Sequence, residues 1–404
     1  MEEISLSKKQ LSFNKRRALI SFVCIFAVVL VFVVGGVFIG RWWVKNDPMN
    51  PWKVESYQSD MEEGNLEHLL LPMNETMTID VENYAKKWGV ENKAWKLSVA
   101  DSYVRVDEDT LTPVDRGWTV LTLQITDGST VYSSDIARIV VISSDPFKSV
   151  STAEELSAIR DDLDGNYILT ADIDLSGMEW TPIGKDANFT GAFINPESYK
   201  IKNLTMKNNV LDGTVNSYTA GLFSRSVQAY FSGIILQDVL LDLPTEKELC
   251  VNSSVGGLIG SAFLTNIIDC SVNGDITGQG TVGGLVGYMD GGYCLGCTFN
   301  GNVTALSCEN ISSPSIAGGL FGKMDGRFET SYGKTYSVTC VIDCSVNADI
   351  TGEHIAGSII GMECGYKIKI EGCYFNGSLH SENIGKIYGQ THNEKGQYKK
   401  QVNS

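Results

Sequence analysis

This 404-residue sequence contains ten cysteines, whose thiols could bind a metal or take part in redox reactions. Four recur in related phrases of the Asp-Cys-Ser-Val-Asn or Gly-Cys-x-Phe-Asn type, at Cys270, Cys297, Cys344 and Cys373. A stacked row of thiols could bind a metal or act in redox chemistry, but we favour small buried side chains that pack in a narrow core. Neighbouring members of such a row lie within disulfide range, yet their parallel side chains make a bridge awkward. Cys294 forms a Cys-x-x-Cys with Cys297 but has no copy in the other phrases, so as a redox motif it is weak.

Asparagine follows each of these four cysteines by three residues, at Asn273, Asn300, Asn347 and Asn376. Amide side chains stacked at one position can hydrogen-bond from one repeat to the next, so we predict a structural asparagine ladder at a bend. The functional alternative is an amide row that recognises a glycan.

Carboxylates at equivalent positions, Asp269 with Asp343 and Asp275 with Asp349, stand two repeats apart. At the usual strand spacing each pair would be about 9.5 Å apart, at the outer limit for an inverting glycosidase and too wide for a retaining one. In this comparison, no equivalent position carries Asp or Glu in two adjacent repeats. We therefore expect these carboxylates to lie on a solvent-exposed outer face without a catalytic role. The four histidines are scattered and form no His-Glu-x-x-His zinc signature. We therefore predict no catalytic residue, no metal and no cofactor.

A repeated glycine-rich motif alternates with the cysteine-containing segments and defines the length of the repeat. Gly-Gly-Leu-x-Gly stands at 256–260, 283–287 and 318–322, and its second glycines, Gly257, Gly284 and Gly319, are predicted corners where φ is positive or backbones approach closely. From Cys270 to Cys297 is 27 residues. Strict alternation of apolar and polar residues over 268–277 predicts one strand, with Ile268 and Cys270 on its buried face. The sequence thus predicts an all-β fold, a parallel β-helix of about 27-residue coils.

Two insertions interrupt the repeat, at 306–317 and 324–340, on either side of 318–322. The second mixes aromatic and basic residues in an otherwise acidic chain, and it is the predicted ligand-binding loop. Its candidate residues are Arg327, Phe328, Tyr332, Lys334 and Tyr336.

The N-terminal fifty residues predict the location of the chain. Residues 18–40 carry no charge and are long enough to span a bilayer, with a larger basic cluster on their N-terminal side. This predicts an uncleaved signal anchor with a cytoplasmic segment 1–17 and the bulk of the chain outside the cell; a cleaved signal peptide is the alternative. The net charge of −16 argues against nucleic acid as a partner.

Residues 41–60 are a predicted stalk, and 61–145 contain five strand-like segments separated by turn residues. The stretches 95–101, 104–107 and 117–128 resemble bacterial Ig-like domains, which implies a β-sandwich spacer. Asp145-Pro146 marks a boundary, after which Ser151 with Glu154, or Thr152 with Glu155, predicts a capping helix over about 152–163. The tail 390–404 is polar and predicted to be disordered.

The phrases at 166–177, 180–184 and 189–193, followed by the Gly-Gly-Leu-x-Gly repeats, resemble proteins with GLUG repeats over 147–389. Such repeats occur in bacterial surface and secreted proteins, including the N-terminal regions of IgA1-specific metallopeptidases. The resemblance implies a surface-displayed solenoid for adhesion or for binding a glycan, cell-wall or host-protein ligand, and not an enzyme. A carbohydrate-active β-helix, a polysaccharide lyase or hydrolase, and a purely structural envelope protein are the alternatives.

Overall fold

The computed structural model describes residues 66–90, 94–99, 102–127, 130–207, 218–243, 253–307, 314–326, 328–331, 334–337, 339–365, 368–381, 383–384, 390–392 and 398–400. Strands dominate these residues. The chain divides into two compact units, the smaller of which includes Asp80–Lys96 and Leu123–Ser134, and the larger Asp60–Ile79, Leu97–Thr122 and Asp135–Ser404.

The N-terminal strands form two small sheets. The strands are β1 (Glu67–Pro72), β2 (Met77–Thr78), β3 (Ala94–Val99), β4 (Val104–Asp107), β5 (Thr110–Pro113), β6 (Gly117–Asp127) and β7 (Thr130–Ile142). Four of them pair in the order β1-β7-β6-β3, with β1 parallel to β7, and β2, β5 and β4 form an antiparallel sheet.

Among its described residues, the smaller unit contains the helix α1 (Val81–Trp88), which the sequence analysis did not predict. Its N-cap is Asp80, whose side chain accepts a hydrogen bond from the Asn83 amide at 3.0 Å. It ends at Gly89, which has the left-handed φ of 67° that favours glycine.

The larger unit is dominated by four parallel sheets that together form a β-solenoid. Sheet I contains Thr219–Ala220, Ser254–Gly256, Thr281–Gly283, Ile316–Gly318, Ile355–Gly357 and Asn383–Ile384. Sheet II contains Phe223–Val227, Ile259–Phe263, Val286–Asp290, Phe321–Gly326 and Ile360–Gly365. Sheet III contains Lys148–Val150, Asn166–Leu169, Ala192–Ile194, Tyr230–Ser232, Asn266–Ile268, Gly292–Leu295, Thr339–Ile342 and Lys369–Glu371. Sheet IV contains Ile173–Asp174, Lys200–Lys202, Thr205–Lys207, Ile235–Asp242, Ser271–Gln279, Thr298–Leu306, Ser345–Gly352 and Tyr374–His380.

From Thr219 onward, the chain runs through sheets I, II, III and IV and then returns to sheet I one strand further along; before Thr219 the solenoid strands lie in sheets III and IV. The register keeps equivalent residues side by side, so that Val272 pairs with Phe299 and Phe299 with Val346. All three side chains are at most 1% exposed and belong to one continuous apolar core. The alternating pattern therefore forms strands because each inward residue stacks on its copy in the next coil.

The predicted strand 268–277 is wrong as one element, because the chain turns within it. Asp269 has a φ of 50° and separates Asn266–Ile268 of sheet III from Ser271–Gln279 of sheet IV. This corner reverses the expected side for Ile268, which faces away from the solenoid core. There it is buried with Val140 and Ile142 of β7. Within the larger unit, these residues of β7 thus pack on the outer face of sheet III.

The corner glycines were predicted either to have a positive φ or to lie where backbones approach closely, and the structure shows the second. Gly257, Gly284 and Gly319 do not adopt the left-handed φ, but each lies where backbones approach closely. A Cβ at Gly284 would be 2.3 Å from the Gly319 carbonyl oxygen and 2.3 Å from Phe299 Cγ. Glycine is therefore required there because sheet IV packs its apolar side chains against this turn.

A helix lies near the N-terminal end of the solenoid, in the segment where a capping helix is predicted. It is α2 (Ala153–Ala158), followed by a 3-10 turn over Ile159–Asp161. Thr152 accepts a hydrogen bond from the Glu155 amide at 3.1 Å, while the Glu155 carboxylate accepts one from the Ser151 amide at 2.7 Å. Leu156 on this helix is buried in the solenoid core.

The two remaining pairs of strands are antiparallel hairpins: Phe328–Ser331 with Lys334–Ser337, and Gln390–His392 with Tyr398–Lys400. The second lies in the segment 390–404 for which disorder is predicted, and nothing in the sequence there explains the pairing.

The predicted anchor 18–40 lies outside the described residues. Among the residues that the structure does describe, no helix has the length and apolar character needed to cross a membrane.

Candidate ligand-binding face on sheet II

The outer face of sheet II carries polar side chains in two rows. Along Val286–Asp290 and Phe321–Gly326 the side chains of Met289 and Met324 are fully buried, so the residues on either side of each methionine point outward. The register places Tyr288 beside Lys323 in one row and Asp290 beside Asp325 in the other. The sheet therefore presents an aromatic ring, an ammonium group and two carboxylates on one surface.

The side chains of this surface contact one another closely. The Tyr288 hydroxyl donates a hydrogen bond to Asp325 Oδ2 at 2.6 Å, and Lys323 Nζ lies 3.8 Å from Asp325 Oδ1. The same ammonium lies 5.2 Å from the centre of the Tyr288 ring, within cation–π range. These contacts hold Tyr288, Lys323 and Asp325 in one orientation, which favours binding because little side-chain entropy remains to be lost.

Asp325 Oδ1 is buried and accepts no hydrogen bond in the structure. This oxygen is in ion-pair contact with the Lys323 ammonium at 3.8 Å, and a carboxylate oxygen can accept more than one hydrogen bond, so it can accept one from a ligand. Cys364 is the next residue in the row of Asp325. Burial raises the pKa of the Cys364 thiol, the Lys323 ammonium lowers it, and the neighbouring Asp325 carboxylate raises it, with the net shift upward. The surface can therefore accept and donate hydrogen bonds to a polar ligand beside an aromatic ring.

The inserted hairpin begins directly after this surface. It occupies 328–337, between Asp325 at the end of a sheet II strand and the sheet III strand Thr339–Ile342. In the preceding coil the same connection is made by Gly291 alone, with a φ of 72°. The insertion thus replaces a tight corner at the edge of the Asp290–Asp325 row.

The residues of the predicted binding loop are only partly described. Phe328 lies in the first strand of the hairpin, and Lys334 and Tyr336 lie in the second. Arg327 and Tyr332 lie outside the described residues. The other insertion, 306–317, leaves the solenoid at a different corner, between sheets IV and I. The structure therefore places the two insertions at separate corners of the coil.

The comparison of carboxylates by sequence was wrong about adjacent coils, since Asp290 and Asp325 are register neighbours. It followed only the cysteine-containing strands, whereas these acids stand in Gly-Tyr-Met-Asp-Gly and Gly-Lys-Met-Asp-Gly, directly after the glycine phrase. That repeated Met-Asp-Gly was the signal that could have identified the surface. Asp275 and Asp349 lie exposed on sheet IV, and Asn302 of the intervening coil donates a hydrogen bond to Asp275 at 2.7 Å.

The cysteine and asparagine rows lie on opposite sides of sheet IV. Cys270, Cys297 and Cys344 are at most 1% exposed, Cys373 is half-buried, and all four precede sheet IV strands and face the core. The asparagines Asn273, Asn300, Asn347 and Asn376 are register neighbours and are exposed on the outer face. Asn376 donates a hydrogen bond to the Asn347 side-chain oxygen at 2.8 Å, which is the kind of contact proposed for a ladder.

Comparison with known proteins gives one family match and one solved structure of interest. The model of the GLUG motif matches residues 251–277. A solved structure titled "IgA1 Protease" has a TM-score of 0.41 and 14% identity, over 71% of this chain and 24% of that chain. The chain thus spans about a quarter of the solved chain. None of the curated proteins compared with this chain matches it.

The solved structure corrects one prediction. We expected that this chain is not an enzyme, but a similar chain is titled as a protease, so the resemblance cannot be used to exclude enzymatic activity. At this level of likeness, the match transfers no activity and no substrate. The GLUG match and the four parallel sheets together establish that this chain contains a GLUG motif and folds as a β-solenoid.

Proposed function

We propose that this chain is a bacterial cell-surface protein whose GLUG solenoid binds an extracellular ligand, a glycan or a protein, through the outer face of sheet II and the adjoining hairpin. The anchor at 18–40 holds the chain in the cell membrane, and the strands of 61–145 form an Ig-like spacer. In this arrangement, the protein serves in adhesion.

One observation carries the proposal: a cluster of interacting aromatic, basic and acidic side chains lies where the coil departs from its repeat. Tyr288, Lys323 and Asp325 contact one another on a surface that the solenoid core does not require, since their neighbours Met289 and Met324 fill the core. Inserted loops on a rigid scaffold are common binding sites. The candidate residues Phe328, Lys334 and Tyr336 belong to the hairpin strands that follow this sheet II strand in the chain.

The hairpin can be removed without disturbing the register. Gly292 pairs with Thr339, so Asp325-Gly326-Thr339 after deletion of 327–338 would match Asp290-Gly291-Gly292 of the preceding coil. The wild-type chain and this deletion variant are compared on arrays of glycans, cell-wall fragments and matrix proteins. We expect ligands that bind the wild type and not the variant; equal binding by both would overturn the assignment of the site.

A second candidate function is cleavage of an extracellular polysaccharide, and the register pairing of Asp290 with Asp325 favours it. Adjacent strands are about 4.8 Å apart, close to the roughly 5–5.5 Å between the carboxyl groups of retaining glycosidases. The test incubates the protein with a panel of polysaccharides and measures new reducing ends. Activity lost in both D290N and D325N, and kept in D275N on sheet IV, supports this function, whereas activity unchanged in either of the first two variants excludes the pair.

A further inference from the structure

In the described part of the solenoid core, two thiols from different sheets approach each other. Cys294 points inward from sheet III, and Cys344 points inward at the start of a sheet IV strand. Their Sγ atoms are 3.7 Å apart, and both side chains are at most 1% exposed. A disulfide requires about 2.05 Å between the sulfurs, so the bond would form if these two sulfurs moved closer together.

The stacked cysteines come from one sheet edge, and their sulfurs also contact backbone amides. Two sulfurs of the row lie against the backbone of the preceding coil: the Cys270 amide donates to Cys297 Sγ, and the Cys297 amide donates to Cys344 Sγ, each at 3.4 Å. Their side chains run side by side along the solenoid. The register counterparts of Cys294 are Ile267 and Val341, which carry no thiol. Among the described residues, the coil that contains Cys294 is therefore the only one in which a thiol of sheet III adjoins the cysteine row.

No metal site competes for these thiols in the described part of the chain, where no group of three His, Cys, Asp or Glu side chains is placed to hold an ion. We propose that Cys294 and Cys344 form a disulfide across the solenoid core when the chain folds outside the cell, where thiols oxidise. This inference rests on the extracellular placement in the proposed function.

The chemistry is a thiol–disulfide exchange with a small-molecule or protein disulfide as the oxidant. The thiolate of Cys344 attacks the oxidant and releases one thiol, which leaves a mixed disulfide on Cys344. Cys294, after losing its proton, attacks Cys344 Sγ and releases the second thiol. Two protein thiols and one oxidant disulfide thus become one protein disulfide and two oxidant thiols. Because both sulfurs are buried in the finished coil, the exchange takes place before the coil closes.

The bond would connect residues 50 positions apart, and the enclosed segment contains both insertions. It would join the sheet III strand before the first insertion to the sheet IV strand after the second. A cross-link here restricts the unfolded chain and holds the two coils together at the point where inserted residues lengthen the connection. The disulfide therefore supports the rigid surface on which the hairpin stands.

The test refolds the full chain in detergent in an oxidised/reduced glutathione buffer, alkylates free thiols under denaturing conditions and identifies linked peptides by mass spectrometry. We expect a Cys294–Cys344 cross-link that disappears with reductant and in C294V, and that persists in the control C373A. Valine is chosen because Val341 occupies the same core position in the next coil. Free thiols at both residues, or a Cys294–Cys297 link, would overturn the proposal.

Two further measurements test whether the disulfide stabilises the protein and whether it forms in the cell. Reductant should lower the thermal midpoint of the wild type and leave that of C294V unchanged; an equal fall in both would overturn a stabilising role for the bond. A link that forms in the glutathione buffer but is missing from protein isolated from its cells would support the disulfide geometry and overturn the extracellular placement.

Discussion

His68 should make the packing of β1 and β7 against sheet III, within the larger unit, sensitive to acid. It lies on β1 directly opposite Arg138 of β7, and its Nδ1 is 3.3 Å from the Tyr293 hydroxyl on the outer face of sheet III. Arg138 is 3% exposed and lies 4.9 Å from the centre of the Tyr293 ring. Burial, and then the charge of Arg138, lower the pKa of His68 from 6.5 to about 4.

The sign and size of the effect follow from that shift. The folded state disfavours the proton, so the unfolded state binds more protons between pH 6.5 and 4, and the free energy of unfolding falls as the pH falls through this window. A shift from 6.5 to about 4 would correspond to roughly 3 kcal/mol for a fully buried group. Because the side chain is only partly buried, solvent screening reduces this to about 1–2 kcal/mol.

The assay is urea unfolding of the wild type and His68→Asn at pH 7 and pH 4.5. Asparagine keeps a polar atom near the position of Nδ1 but does not titrate in this range. We expect the wild type to lose about 1–2 kcal/mol more than the variant on acidification, since other groups titrate equally in both. Equal losses in the two proteins would refute the burial of a neutral His68 beside Arg138.

The remaining predictions concern the coil and its ends. Gly284→Ala should destabilise the protein by about 2–4 kcal/mol in urea unfolding, because the added Cβ would collide with the Gly319 carbonyl and Phe299; a loss below about 0.5 kcal/mol would contradict the close approach. Thr152→Ala should cost about 1 kcal/mol through loss of the N-cap of α2, and Thr152→Ser should restore it. Deletion of 327–338 should leave the unfolding midpoint near that of the wild type, because Asp325-Gly326-Thr339 restores the register of the preceding coil; loss of folding would show that the hairpin supports the core.

Much of the solenoid was predictable because its repeat is explicit. The 27-residue spacing from Cys270 to Cys297 and the glycine phrase specify stacked coils, and the pairing of Val272 with Phe299 follows from that spacing. The corner at Asp269 was missed because aspartate tolerates a left-handed φ, whereas the alternating pattern continues across it. Periodicity alone therefore could not place Ile268 on the outer face.

The candidate site was predicted only in part. The insertion was identified as a departure from the repeat, but the surface beside it was not, because Tyr288, Lys323 and Asp325 come from two coils and meet only through the register. The contact between the Cys294 and Cys344 sulfurs could not be predicted from the sequence for a related reason. Sequence comparison aligns residues within one sheet, whereas these two sulfurs approach from different sheets.

The central claim is that sheet II and the hairpin form one ligand-binding surface, and a binding isotherm tests it most directly. The ligand found on the arrays is titrated into the full chain and into Lys323→Gln, with Lys202→Gln as a matched control, since Lys202 forms a surface ion pair with Asp172 on sheet IV. We predict at least a tenfold weaker Kd for Lys323→Gln, about 1.4 kcal/mol, and no change for Lys202→Gln. An unchanged Kd for Lys323→Gln, or an equal loss in both variants, would contradict the claim.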